Sequence, residues 1–269
     1  MVDSSDDTLT EIACQESVLW QQGALIYLRS TQGAGHQRNV GVAHADYLGT
    51  MYVALLDDDI RPDPNFFSNC IDLHQKSGTS SVVGGWDVGC SPSPHSKVRE
   101  IFGFSGPEVG FFITKSGQAI YGDGAAAEIQ HVEWLPGGMM FARTEALLGC
   151  PYRDEFLIYG GDLDLCLRLR FNGFKLLTSN NLGVKHLSAV SGKEPRWRYY
   201  LGYFRVRYWF SRQPYAKVES KWVIASAIFS IFYNLLTGIL RDRRRLSWAM
   251  GEVAGVLEWA LGRSRPTKK

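Results

Sequence analysis

The chain has 269 residues, 45% of them apolar, which is enough to bury one sizeable core and carry an appendage. Its formal net charge of +2 conceals an asymmetry: residues 1–192 hold 13 Lys and Arg against 22 Asp and Glu, whereas residues 193–269 hold 16 against 5. An acidic body argues against nucleic-acid binding, and a basic tail rich in Trp and Tyr suits anionic lipid head groups, although a solvated basic helix would share that composition. Five cysteines (Cys14, Cys70, Cys90, Cys150 and Cys166) show no C-x-x-C spacing, which predicts buried thiols in a reducing compartment rather than a disulfide frame or zinc site. The N-terminus shows no basic-then-apolar signal, so a cytoplasmic body is expected.

In chain order, a strand end at the N-terminus leads to a helix over residues 9–22 and a strand over 24–28. A turn at Gly33–Gly35 leads into a helix over 37–48. Residues 51–56 (MYVALL) are a continuous apolar run that stops at Asp57, which predicts a parallel strand buried on both faces. A helix over 64–76 and a strand over 80–84 complete an alternating α/β order with right-handed crossovers. Residues 85–128 are looser, with a hairpin expected over 111–121, and order returns over 131–142. A helix starts at Asp162 and stops at Asn172-Gly173, a left-handed C-cap. Lys175–Thr178 and Gly183–His186 read as short strands.

After residue 192 the composition changes, which divides the chain into a body, 1–192, and a helical region, 193–269. Residues 196–212 predict an aromatic, Arg-rich helix. Residues 222–240 carry no charge and lie between Lys217 and Lys221 on one side and Arg241, Arg243, Arg244 and Arg245 on the other. That length just meets the roughly 20 residues needed to cross a bilayer. Ser226, Ser230, Asn234 and Thr237 recur at helical spacing, however, and such a polar stripe favours a helix lying in the interface.

The chemistry concentrates at a few positions. Asp57, Asp58 and Asp59 end a buried strand, where mutual repulsion and desolvation make a cation or several donors necessary. Carboxyl ends of parallel strands are also where open α/β sheets bind ligands. Hard oxygen donors there suit magnesium or manganese beside substrate phosphates. The plainer alternative is an acidic loop whose Asp63 and Pro64 cap the next helix. His186, closing an apolar strand, could complete a metal site with two aspartates or serve as a structural hydrogen-bonder. Asp162 and Asp164 open a helix behind Gly160-Gly161. Either could simply cap it, and either could serve as a general base. Gly33-Ala34-Gly35 fails as a dinucleotide fingerprint, since Arg38 stands where the third glycine belongs.

Five segments in order, QRNVG at 37–41, LLDDDIRPDP at 55–64, EWLPGGMMFAR at 133–143, YGGDLDLCLRLRFNGF at 159–174 and VKHLS at 184–188, resemble the family-2 glycosyltransferases of GT-A fold. The nearest flavour is the bacterial-type group that builds cell-surface polysaccharides, including rhamnosyl- and galactofuranosyltransferase-like enzymes. The resemblance implies a Rossmann-like α/β body with a mostly parallel sheet and helices on both faces, followed by the helical C-terminal region. It implies transfer of a sugar from a nucleotide-sugar donor to a membrane-borne or lipid-linked glycan by metal-dependent inverting displacement. It places Asp57 and Asp59 on a manganese or magnesium ion and the donor diphosphate, Asp58 near the ribose or sugar, and His186 on the same metal. Asp162 would be the base, Arg38 and Asp3 nucleotide contacts, and Trp134, Gly137 and Gly138 the lining of the sugar pocket. Two departures stand out: Gly161 replaces the family's usual glutamate, and the chain begins at what would be the family's second strand, so a first β-α unit is expected to be missing. The resulting expectation is an enzyme on the cytoplasmic face of a membrane, peripheral or with one C-terminal span. A non-catalytic membrane-bound relative and a metal-dependent phosphohydrolase are the alternatives.

Overall fold

Alternation in three short strands builds the core. Val82 and Val83, Met140 and Phe141, and Leu176 and Leu177 point to opposite faces of one sheet, as successive strand side chains must, and all six are buried. The computed structural model describes residues 1–88, 97–101, 110–121, 127–156, 160–187, 217–240 and 242–261, with residues 199–200, 202–203, 206 and 208–209. Its N-terminal elements are β1 (Val2–Asp3), α1 (Leu9–Gln15), α2 (Val18–Gln21), β2 (Leu28–Arg29), α3 (Ala34–Tyr47), β3 (Tyr52–Leu56), β4 (Ile60–Pro62), α4 (Phe66–Ser77), β5 (Ser81–Gly84), β6 (Trp86–Asp87) and α5 (Lys97–Ile101). Then come β7 (Phe111–Ile113), β8 (Ala119–Tyr121), β9 (Gln130–His131), β10 (Met139–Arg143), α6 (Thr144–Gly149), α7 (Gly161–Phe171), β11 (Lys175–Thr178), β12 (Gly183–His186), α8 (Ser220–Leu240) and α9 (Arg244–Ala260).

The main sheet has the order β3-β10-β5-β11-β9. β10 runs antiparallel to both β3 and β5, β11 runs parallel to β5, and β9 antiparallel to β11. The expected strands β3, β5 and β11 are therefore present and run in one direction, but β10 is threaded between two of them in the opposite sense. The sheet is mixed rather than mostly parallel. One face packs Val82, Met140 and Leu176 against Val42 of α3 and Leu165 and Leu169 of α7. The other packs Val83, Phe141 and Leu177 against Phe66, Cys70 and Leu73 of α4. Helices thus cover both faces. The α7 helix ends as expected, with Gly173 at φ 86°.

Three expectations shift. β3 is at the edge of its sheet, paired with β10, so Leu55 alone among its residues is fully buried and Met51 before it is 60% exposed. Residues 9–22 form two helices, because the Ser17 hydroxyl accepts from the Trp20 amide and caps a new start. The strand expected over 24–28 sits later, pinned by parallel pairing of Leu28 and Arg29 with Val2 and Asp3.

Most of the helix expected over 196–212 lies outside the described residues, but Tyr208 and Trp209 join Val218 and Val223 in the same core as Leu165 and Trp134. The Trp209 indole donates to the Gly117 carbonyl at the tip of the β7–β8 hairpin, 2.7 Å away. In α8 the polar stripe is partly covered, with Ser230, Asn234 and Thr237 half-buried. Ser226, Ala227 and Gly238 are buried, and Gly238 abuts Leu246 of α9. Ser226 and Thr237 donate to carbonyls of their own helix, and Asn234 donates to Ser230. At its C-terminal end the stripe meets α9, where Arg245 also donates to the Thr237 hydroxyl at 3.5 Å. Cys14, Cys70, Cys150 and Cys166 are buried free thiols, and Cys90 lies outside the described residues.

Candidate active site

The carboxyl end of β3 and the start of α7 meet at Arg38. Its guanidinium donates to Asp57 Oδ1 at 2.7 Å and to Asp162 Oδ1 at 2.9 Å. Arg38 comes from the first half of α3, its side chain is 16% exposed, and it lies over the Tyr152 ring, 5.3 Å from the centroid. Burial opposes its charge, but the Asp162 and Asp57 carboxylates outweigh that and hold the guanidinium above its ordinary value. Tyr152 also donates to Asp162 Oδ1 at 3.2 Å. Burial, then the neighbouring Asp162 charge, pushes the phenol well up, so it stays protonated as a donor. Asn39 fixes the ring's backbone from both sides: its amide donates to the Tyr152 carbonyl and its oxygen accepts from the Tyr152 amide, each at 2.8 Å.

Gly137 and Gly138 floor this arrangement. A Cβ at Gly138 would collide with the Asp57 carboxylate, and one at Gly137 with Asp162 and the Tyr152 hydroxyl. These two carboxylates can therefore approach the start of β10 because that backbone has no side chains there. The cleft above holds about 440 Å³ and is lined by Arg38, Asp57, Tyr121, Trp134, Tyr152 and Asp162, among others. Trp134 is buried, stacks edge-on with Phe111 and Tyr121, and donates from its indole to the Phe112 and Ile120 carbonyls. It ties the β7–β8 hairpin to the pocket wall.

A second pair lies nearby in the chain. His186 Nε2 is 3.1 Å from Asp59 Oδ1. Pairing of β12 with β4, which sets His186 opposite Ile60, brings together two residues 127 positions apart. Asp58, between the two pairs, is exposed in the turn. The three expected metal donors are thus distributed as Asp59 with His186, and Asp57 with Arg38. Among the described residues no three His, Cys, Asp or Glu side chains gather as a metal site. The donor types themselves, two carboxylates and an imidazole, suit manganese or magnesium.

The structure separates the two aspartates of α7, and neither side chain caps the helix. Asp162 opens onto the cleft. Asp164 is buried, accepting from Arg168 at 2.7 Å, Arg153 at 3.3 Å and Tyr208 at 3.5 Å. Breaking a buried ion pair from one side costs about 3–5 kcal/mol. Asp164→Asn is accordingly expected to lower the urea midpoint markedly, and a midpoint shift no larger than that of Asp162→Asn would contradict this assignment. Asp3 lies apart from the cleft lining: its oxygens accept from the Ser5 hydroxyl and amide and from the Tyr27 hydroxyl. Ser5 first, and Tyr27 next, hold its carboxyl down at about 2. Tyr152, Asn39, Phe156 and Tyr121 were not foreseen. Asn39 sits inside the QRNVG segment and was within reach of sequence reading. Tyr152 and Phe156 lie in an irregular link without periodicity or motif.

Residues 1–131 match the family model described as Glycosyl transferase family 2. No curated protein matches the chain. Among solved structures it is similar to GalNAc-T7, crystallised with UDP, GalNAc and Mn2+, at 14% identity and a TM-score of 0.56, over 96% of this chain and 50% of that one. A weaker likeness, to A197 from STIV, has 17% identity and a TM-score of 0.41, over 64% of this chain and 76% of the other. The chain spans about half the length of GalNAc-T7. The fold is GT-A-like, an α/β body with mixed sheets followed by C-terminal helices.

Proposed function

We propose that this chain is a glycosyltransferase that moves a sugar from a nucleotide-sugar donor to a glycan hydroxyl with inversion at the anomeric carbon. The observation that carries the reading is the meeting of Asp57 and Asp162, 105 positions apart, at one cleft over a glycine floor. An acceptor hydroxyl oxygen attacks the anomeric carbon and gives its proton to the Asp162 carboxylate. The bond from that carbon to the diphosphate oxygen breaks, and its electron pair leaves with the nucleoside diphosphate. Asp162 receives the proton, Tyr152 orients Asp162 by hydrogen bonding to it, and Trp134 with Tyr121 shapes the sugar pocket. Asp57, Asp59 and His186 would hold a manganese or magnesium ion, which when bound supplies positive charge against the departing diphosphate. Asp58 and Asp3 are assigned to the nucleotide side.

The test is release of nucleoside diphosphate from a panel of UDP-, dTDP- and GDP-sugars, with and without manganese and a glycan acceptor. Acceptor-dependent release supports the reading. Hydrolysis of simple phosphate esters with no release from any sugar donor would favour the phosphohydrolase alternative.

The acceptor is assigned to a membrane surface. Among the described residues one helix, α8, is long and apolar enough to cross a bilayer. Its outward side exposes Ile228, Phe232, Leu236 and Ile239, and α9 adds Met250 and Leu257. Arg243 and Arg245 lie at the junction of the two helices, a charge pattern that suits anionic head groups. A spanning helix must leave the body, yet α9 accompanies α8 and packs on the segment just before Tyr208 and Trp209, which are set in the body's core: Gly251 and Gly255 abut Tyr199 and Tyr203, and Tyr203 donates to Glu258 at 2.6 Å. This packing favours a hairpin lying on a membrane surface over a single span, and the surface is assigned to the cytoplasmic face. The protein is expected to pellet with phosphatidylserine vesicles at low salt and to be released by alkaline carbonate. Retention through carbonate would mean a span, and indifference to vesicles would end the docking idea.

A further inference from the structure

Arg38 stands between the two carboxylates to which the reaction assigns different tasks. One arm of its guanidinium binds Asp57, at the end of the cleft assigned to the leaving diphosphate, and the other binds Asp162, the assigned base. The platform beneath it is rigid. Tyr152 is held through both backbone groups by Asn39, and Gly35 of α3 lies against its ring. The arginine is therefore the adjustable part of the cluster. Its planar fork recognises carboxylate and phosphate alike, and a diphosphate brings more charge and more acceptor oxygens than one carboxylate. A carboxylate engaged by a fixed cation is poorly placed to accept a proton, so Asp162 needs to be released before it can act.

We propose that Arg38 is a positioning residue that exchanges partners, tying Asp57 to Asp162 in the empty cleft and turning to the donor's diphosphate when one binds, which frees the Asp162 carboxylate. This rests on the glycosyl-transfer reading. It makes donor and acceptor chemistry sequential: the base becomes available once the leaving group is in place, and a donor-free enzyme keeps it engaged.

The exchange has a consequence that a purely structural role does not share. Asp162 and the diphosphate compete for one guanidinium, so removing the Asp162 charge strengthens diphosphate binding, and the coupling is reciprocal. Calorimetric titration with UDP, and with dTDP and GDP in parallel, all at fixed manganese, measures it. Asp162→Asn is expected to bind the preferred diphosphate about five-fold or more tightly than the wild type. Arg38→Ala is expected to bind it roughly 10–100-fold more weakly, as loss of a charge-assisted hydrogen bond does. In the Arg38→Ala background, adding Asp162→Asn changes nothing, which separates partner exchange from a general easing of negative charge in the cleft. Arg38→Lys keeps the charge and recovers part of the binding, while kcat stays below wild type because a single ammonium replaces the two-pronged contact with the diphosphate. Equal or weaker binding by Asp162→Asn overturns the proposal, as does a strengthening that persists without Arg38. Circular dichroism of each variant confirms that it is folded. If none of the three diphosphates binds the wild type, the glycosyl-transfer reading itself falls; if the wild type binds and the cycle is flat, partner exchange alone falls.

Discussion

Replacing Asp162 by asparagine is expected to lower glycosyl transfer by about 10²–10⁴-fold, the usual contribution of a positioned general base. The substitution is nearly isosteric, and the Tyr152 hydroxyl can still donate to the amide oxygen. The side chain is about one-third exposed, so losing its ion pair with Arg38 should disturb stability little. What asparagine cannot do is take the acceptor's proton. The loss should therefore fall on kcat, with nucleoside diphosphate still bound and the urea midpoint close to that of the wild type. Undiminished turnover would remove Asp162 from the role. Asp164, two residues along the same helix, provides the opposite signature of lost stability, because it is sealed among Arg153, Arg168 and Tyr208.

Adding one methyl group to the floor is expected to be almost as damaging. Gly138→Ala drives a Cβ into the Asp57 carboxylate, and Gly137→Ala drives one into Asp162 and Tyr152. In each case the alternative to a clash is displacement of a carboxylate by an ångström or more. Misplacement on that scale can cost on the order of 10²-fold in rate. The two variants should differ in kind: Gly138→Ala should weaken nucleoside diphosphate binding through Asp57, whereas Gly137→Ala should act mainly on kcat through Asp162. Alanine scanning of both positions with KM and kcat measured separately checks this. Near wild-type activity in both would mean that the cleft is not where transfer occurs.

Much of the element order was legible along the chain because short-range rules specify it. The apolar run ending at Asp57, the helix from Gly161 to a glycine stop, the β7–β8 hairpin and the strands over Lys175–Thr178 and Gly183–His186 all follow from periodicity and turn chemistry. The antiparallel insertion of β10 was not legible, since strand order depends on pairings between segments more than 50 residues apart. The setting of the α8 stripe was not legible for a related reason. Helical spacing says which residues share a face, and only the partner helix says what that face meets.

The sequence by itself determined which side chains were available for chemistry: the aspartates at 57, 59 and 162, the histidine at 186, and the glycine pair that lets backbone and carboxylate come close. Tertiary structure decided their company, setting Asp57 and Asp162 on Arg38, Asp59 on His186 and Asp164 into the core. Local rules act through a few bonds of chain and fix type and periodicity. Contacts across α3, β3, β10 and α7 depend on how two sheet faces are packed, and that is settled only when the whole core closes.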